Sequence, residues 1–372
     1  MKDTSKKLVI ITGSAGRIGA RIAQRLGKKY QIVGFELMKA IYASANEELV
    51  PLDISSEESI HQAFRHIRAF YGKQIASVVH LAAYYSFEDQ KYSKYNKITV
   101  QGTKNLLKAL QEFEVEQFIF SSTMLVRKAT KPGEVITEMS PLEGSWAYPQ
   151  SKIETEEVIR KYRGKIPSVV MEIAGVYDDD CHSIPISNQI QRIYEKSLTS
   201  HFFPGDASHG AAFIHMDDLV NLLEKAVDRR NEIPREVTVL VGEEKTLSTK
   251  YLQNAISQYF FHKNSRLIWL PKWFAWLGSF LQCHTPFMEK PFIRPWMIKL
   301  ADDHYELDVS EAKDLFKWDM KHKLEDSLLL MLKDLESDPI GWYKKNNLKM
   351  PKRMEKKLLK REKIVKKNGK AA

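Results

Sequence analysis

Five apolar or small residues, Leu8-Val9-Ile10-Ile11-Thr12, run without polar alternation into Gly13-Ser14-Ala15-Gly16-Arg17-Ile18-Gly19. A strand with no alternation is buried on both faces, which is the condition of a parallel strand covered by helices. The glycine spacing then allows a tight turn and close packing of the helix that follows from residue 20. A helix N-terminus reached through such a turn presents uncommitted backbone N–H groups and the positive end of the helix dipole. That is a seat for a pyrophosphate, and Gly13, Ser14, Ala15, Gly16, Arg17, Ile18 and Gly19 are its candidate lining.

The same grammar continues downstream. Strand-like runs at 31–36, 77–81, 117–121 and 168–173 alternate with helical patterns at 20–26, 56–70, 99–113 and 151–162. This alternation predicts an α/β fold, a doubly wound parallel sheet with helices on both faces. Residues 1–175, joined again by 211–240, read as a Rossmann-type dinucleotide-binding domain. Residues 176–210 and 241–343, where aromatics concentrate, read as a smaller C-terminal α/β substrate domain. Residues 344–372 read as a basic tail.

Charge and cysteine content narrow the setting. Of 57 Lys/Arg and 47 Asp/Glu, the tail from 344 holds thirteen and two, so the rest of the chain is close to neutral. The net charge of +10 is therefore a property of the tail, and no nucleic acid is expected as partner. Two cysteines, Cys181 and Cys283, are too few for a disulfide framework. With no signal peptide or transit peptide at Met1–Lys7 and no apolar run near the ~20 residues a span requires, a cytoplasmic protein is expected.

Several side chains mark a nucleotide. Glu36 ends the second strand about 20 residues beyond the glycine turn, where a carboxylate accepts from adenosine ribose hydroxyls and repels a 2′-phosphate. NAD is thus favoured over NADP, although Arg17 pulls the other way. Asp53-Ile54 follows the third strand, at the adenine edge. His80-Leu81-Ala82-Ala83 ends the fourth, where the small Ala82 and Ala83 let the backbone approach the cofactor. His182, His201, His209 and His215 lack metal-ligand spacing, and no metal is expected.

Ser121-Ser122-Thr123 ends the fifth strand, followed by Tyr148-Pro149-Gln150-Ser151-Lys152 and later Phe213-Ile214-His215-Met216-Asp217-Asp218-Leu219. Together with Gly13-x-x-Gly16-x-x-Gly19, this ordered set resembles the extended short-chain dehydrogenase/reductases of the NAD-dependent epimerase/dehydratase type, over about residues 8–335. The resemblance implies that Tyr148 is the general acid/base, that Lys152 stabilises its phenolate and binds the nicotinamide ribose, and that Thr123 orients the substrate oxygen. It implies further that Ser121, Gly175 and Val176 line the cofactor, and that the chain forms a homodimer through the helical segments 99–113 and 151–162.

Departures from the pattern bear on substrate. Gly175 stands where sugar-nucleotide enzymes usually carry a diphosphate-binding asparagine, and Ala211-Ala212 where they tend to carry an arginine. A diphosphate without such donors is poorly held. Thr99 replaces an asparagine found in many relatives. The expected substrate is accordingly a largely apolar small molecule whose secondary alcohol is oxidised or ketone reduced. The alternatives are nucleotide-sugar epimerisation or dehydration, and a non-catalytic dinucleotide sensor. Trp273, Trp276, Leu277, Phe280 and Leu281 recur on one helical face, which either packs on the substrate domain or, with the basic tail, makes a peripheral membrane contact.

Overall fold

The computed structural model describes residues 6–37, 47–87, 91–285, 292–356 and 358–360; the part of the basic tail beyond 360 lies outside them. The chain divides into two units, 1–175 with 209–247 and 303–321, and 176–208 with 248–302 and 322–372.

The first unit is built on seven strands: β1 Leu8–Thr12, β2 Gln31–Glu36, β3 Glu47–Pro51, β4 Ser77–His80, β5 Phe118–Thr123, β6 Ser168–Ile173 and β7 Glu236–Val241. Their order is β7-β6-β5-β4-β1-β2-β3, and every pairing is parallel. The doubly wound parallel sheet expected from the sequence is thus the fold. Strands β1, β4 and β6 are buried at every position, which is why their sequences lack alternation. Strand order reverses between β1 and β4, so the crevice beyond their carboxyl ends is the topological switch point where such sheets take ligands.

Helices α1 Arg17–Leu26, α2 Glu57–Tyr71, α3 Gly102–Leu110, α4 Ala147–Tyr162, α5 Met216–Asp228 and α6 Ser310–Phe316 cover the sheet. One core joins Ile10, Phe35, Phe64, Ile67, Leu106, Phe118, Phe120 and Ile159. The fifth strand ends at Thr123, as the Ser121-Ser122-Thr123 reading expects. Two helix starts shift. The helix predicted from 99 begins as a π turn, Asn96–Gln101, before α3. The helix predicted from 151 starts at Ala147, which brings Tyr148 onto it.

Residues 303–321, which the sequence assigns to the second domain, cluster with the first unit. The Trp318 indole donates to the Asp218 carbonyl (3.1 Å), the Lys321 N–H to the Asp218 carboxylate, and Thr246 Oγ1 to the Tyr305 carbonyl (2.7 Å). These bonds join segments remote in sequence, so no local pattern announces them.

The second unit comprises helices Ile184–Tyr194, Thr249–Phe261, Lys272–His284, Leu324–Ser337 and Pro339–Lys345, with a short parallel pair, Phe202–Phe203 beside Ile268–Trp269. Ile190, Ile256, Met331, Leu335 and Trp342 are buried in it. Asp178, Asp180 and His182 lie within mutual ligand distance, but His182 already bonds Asp178 (2.8 Å) and Lys345 bonds Asp180 (2.8 Å).

Candidate active site

The glycine turn closes on itself before it meets any ligand. Gly13 takes φ +70° and donates to the Phe35 carbonyl (2.9 Å), while the Gly16 N–H donates to the Gly13 carbonyl (3.0 Å). A methyl built on Gly13 would lie 3.1 Å from the Ala82 nitrogen, and one on Gly19 only 2.2 Å from the Gly13 oxygen. Both glycines therefore serve close backbone approach, at the strand ends and at the helix–turn contact. Gly16 caps α1 without a side-chain hydrogen bond, and the helix meets the turn with the positive end of its dipole and with first-turn N–H groups that have no carbonyl partner within the helix. This is a cradle that side chains would fill and glycines keep open, and it fits a pyrophosphate. Gly19→Ala must push α1 off the turn; NAD affinity measured by calorimetry is expected to fall at least ~10-fold, or ~1.4 kcal/mol.

Ser14 is fully buried, its hydroxyl unpartnered. Glu36 turns back onto the cradle: Oε2 accepts from the Ala15 N–H (3.0 Å) and Oε1 from the Leu37 N–H (2.9 Å). Two backbone donors fix its orientation, and lone pairs remain for ribose hydroxyls. Arg17 is exposed at the start of α1. Asp53 Oδ1 accepts from the Ser55 N–H and hydroxyl, which shapes the loop before α2. The Ile54 side chain is buried and packs at 3.0 Å beneath a methyl built on Gly102, leaving its backbone as the part able to meet an adenine.

Behind the cradle, His80 organises the strand ends. The Thr103 hydroxyl donates its single proton to the Thr99 carbonyl (2.6 Å), so its oxygen accepts from His80 Nε2 at 2.8 Å. Burial, reinforced by the Lys152 charge, pushes His80 down to about 3. The ring is neutral, and its bare Nδ1 accepts from the Thr12 hydroxyl at 2.6 Å. Thr12 Oγ1 in turn accepts from the Leu81 and Ala82 N–H groups (3.2 and 3.1 Å). This relay holds the Leu81-Ala82-Ala83 backbone against Gly13 and gives His80 a structural task. Thr99, for its part, accepts from the Tyr84 N–H through its hydroxyl (3.0 Å).

Thr123, Tyr148 and Lys152 come together where β5 meets α4. Burial pushes the Tyr148 phenol up to about 12, and the neighbouring Thr123 hydroxyl opposes that rise. Tyr148 and Lys152, four residues apart, share one face of α4. Pro149, in the first turn, forfeits no helical hydrogen bond. The Lys152 ammonium is buried and donates to the Ser121 carbonyl (2.6 Å), 4.6 Å from the Phe120 ring centre and 5.7 Å from that of Tyr148. Desolvation lowers Lys152 to about 7, while Glu156 one turn on pulls it upward. Glu156 accepts from the Ser122 hydroxyl at 2.5 Å, and its own carboxyl is pushed upward by burial. The Ser121 hydroxyl donates to the His80 carbonyl (3.1 Å) and ties β5 to β4.

Sequence reasoning missed the rings around Tyr148. Tyr85 lies edge-on to it at 4.8 Å and Trp146 at 5.4 Å, while Phe87 stacks on Trp146 at 6.1 Å. Aromatic spacing at 84, 85, 87 and 146 was the available signal. Gly175 proves to be a packing position, since a methyl there would lie 2.7 Å from the Phe213 ring. Val176 falls in the second unit and is half-buried.

Comparison with known proteins bears on the whole arrangement. The UDP-glucose 4-epimerase of Schizosaccharomyces pombe is 27% identical over 175 residues, 43% of this chain and 48% of that one. The chain thus spans about half the length of this relative and of an Escherichia coli N-acetyl-alpha-D-glucosaminyl-diphospho-ditrans,octacis-undecaprenol 4-epimerase that it also matches. The structure of Bacillus cereus UDP-glucuronic acid 4-epimerase with UDP-glucuronic acid and NAD superposes with a TM-score of 0.65 at 18% identity, over 89% of this chain and 99% of that one. The Thermus thermophilus UDP-glucose 4-epimerase complex with NAD gives 0.66 at 18% identity, over 88% and 99%. At these identities the likeness is one of fold. The NAD dependent epimerase/dehydratase family model matches residues 9–242, from the first buried strand to just past the last strand of the sheet. That stretch is more than half of the chain, and the protein belongs to the NAD dependent epimerase/dehydratase family.

Proposed function

We propose that this protein is an NAD-dependent enzyme that oxidises a secondary-alcohol carbon of a nucleotide sugar, as the opening step of an epimerisation or dehydration. The observation that carries the reading is Tyr148 with Thr123 beside its phenol and buried Lys152 on the same helix face, at the carboxyl edge of the sheet that also holds the open glycine cradle. The order of preference expected from the sequence is reversed here. The relatives named above act, by their names, on UDP-sugars, and that outweighs the missing asparagine and arginine.

In this reading the first-turn N–H groups of α1 hold the pyrophosphate, Glu36 the adenosine ribose, and Lys152 the nicotinamide ribose. NAD, when bound, supplies a hydride acceptor. Thr123 donates to the substrate oxygen and fixes its distance from Tyr148. Tyr148 takes the hydroxyl proton as the carbon is oxidised and returns it on reduction. Because burial holds the phenol near 12 against the pull of Thr123, it needs the Lys152 ammonium nearby to release its proton at neutral pH. A subunit pairing through α3 and α4 belongs to the same reading.

Incubating NAD-loaded protein with UDP-glucose, UDP-N-acetylglucosamine and UDP-glucuronic acid is the test. The expected result is a raised thermal midpoint and a new anomeric NMR signal with one of them. A second reading, an apolar alcohol or ketone as substrate, is favoured by the Tyr85, Phe87 and Trp146 rings around Tyr148. It predicts stoichiometric NADH formation with hydrophobic secondary alcohols and no response to UDP-sugars.

A further inference from the structure

Helix Lys272–His284 in the second unit has no buried residue, which is unusual for a segment so apolar. Its two sides differ in a regular way. Trp273, Phe274, Trp276, Leu277, Phe280 and Leu281 are all exposed, Trp273 by 69% and Leu281 by 55%. At 3.6 residues per turn these six cover a continuous arc of roughly 160°. Lys272, Ala275, Ser279 and Cys283, on the other side, are half-buried. That side is tied down: Ser279 donates to the Ile293 carbonyl (2.8 Å), Lys272 pairs with Asp302 (2.6 Å), and Arg294 lies 3.8 Å from the Cys283 sulfur. The polar half of the helix is thus spent on the protein, and the apolar half faces outward. Ile268 and Trp269, just before it in the chain, are also exposed.

We propose that this face lies on an anionic lipid bilayer, parallel to its surface. Charge selects the lipid. Exposed Lys263, Arg266 and Lys299 flank the helix, and the tail adds thirteen basic residues against two. Tryptophan and phenylalanine on one side of a helix with basic flanks suit the headgroup–acyl boundary, where indole keeps its N–H wet and buries its ring. Each basic residue near such a surface adds attraction that salt weakens. A second copy of the chain is a poorer occupant. Two-fold pairing sets the same surface against itself and would bring basic flanks together. Insertion across the membrane is excluded by length, since thirteen residues rise only ~20 Å against a ~30 Å core.

The test is flotation of the full chain with vesicles of phosphatidylcholine plus phosphatidylglycerol, and with vesicles of phosphatidylcholine alone. The protein is expected to float with the anionic vesicles only, less so as salt is raised. The Trp273→Glu/Leu277→Glu/Leu281→Glu variant is expected to lose at least ~10-fold in partitioning, with its circular dichroism and NAD affinity unchanged. Should that variant fold poorly, brominated lipid provides the second readout on the native chain, and strong quenching of its tryptophan fluorescence is expected. Absence of flotation with either vesicle, equal flotation of the variant, or unquenched fluorescence overturns the proposal. So does a wild-type dimer that ignores vesicles and that the triple substitution converts to monomer, an outcome that makes the face a protein–protein interface.

Discussion

Tyr148→Phe is expected to lower turnover by about 10²–10⁴-fold, the usual worth of a positioned general acid/base, while NAD affinity stays within about twofold of wild type. The substitution removes one oxygen and keeps the ring, so the packing against Tyr85 and Trp146 survives. What disappears is the phenol oxygen beside Thr123. Because the lost group acts on the proton and not in the cradle, kcat should carry the loss and KM should change little. Steady-state kinetics on the substrate found by the screen above, with calorimetry for NAD, makes the measurement. Equal turnover in the variant would remove Tyr148 from the chemistry. A parallel loss of NAD affinity would show that the residue holds the cofactor instead.

The second large effect is on stability. Arg127, just past β5, grips Glu172 of β6 with two bonds, Nε to Oε2 at 2.7 Å and Nη2 to Oε1 at 2.6 Å, and its Nη1 donates to the Ser140 carbonyl at 2.7 Å. Glu172 is wholly buried; desolvation, with a smaller push from the Glu156 charge, raises its carboxyl to about 7 against the pull of Arg127. Removing one member of a buried pair leaves the other charge uncompensated, at a cost of about 3–5 kcal/mol, whereas replacing both by apolar groups is often neutral. Arg127→Met should therefore lose about that much in urea denaturation, and Arg127→Met/Glu172→Met should recover most of it. The single variant also carries a pH signature. Without Arg127 the folded carboxyl binds its proton still more tightly than the unfolded one, so the folded state holds the extra proton above the unfolded pKa. Stability must then fall as pH rises from about 5 to about 8. An additive double variant, or a single variant insensitive to pH, would contradict the pair's proposed energetics.

Local features of this molecule were legible and non-local ones were not. The first strand, the glycine turn and the helix start follow from residues adjacent in sequence, and so does the placing of Tyr148 and Lys152 on one helix face. Thr99 looked like a weakened contact, yet its hydroxyl and carbonyl serve Tyr84 and Thr103. Gly175 looked like a missing phosphate ligand, yet the ring that forbids a side chain there comes from Phe213. Glu36 was read as a ribose acceptor, and nothing at 31–36 suggests that Ala15 and Leu37 fix its direction. The Arg127–Glu172 pair joins residues 45 apart. In each case the partner is set by which strand ends meet, and hydrophobic periodicity does not carry that information.

The most direct test of the account is a crystal structure of the NAD complex. The account predicts the pyrophosphate on the N–H groups at the start of α1, the adenosine ribose against Glu36, and the nicotinamide ribose within hydrogen-bond reach of Lys152. The Tyr148 phenol should then face the reactive edge of the ring, with the Thr123 hydroxyl beside it. A cofactor bound elsewhere, or a nicotinamide on a different wall from Tyr148 and Lys152, would contradict it.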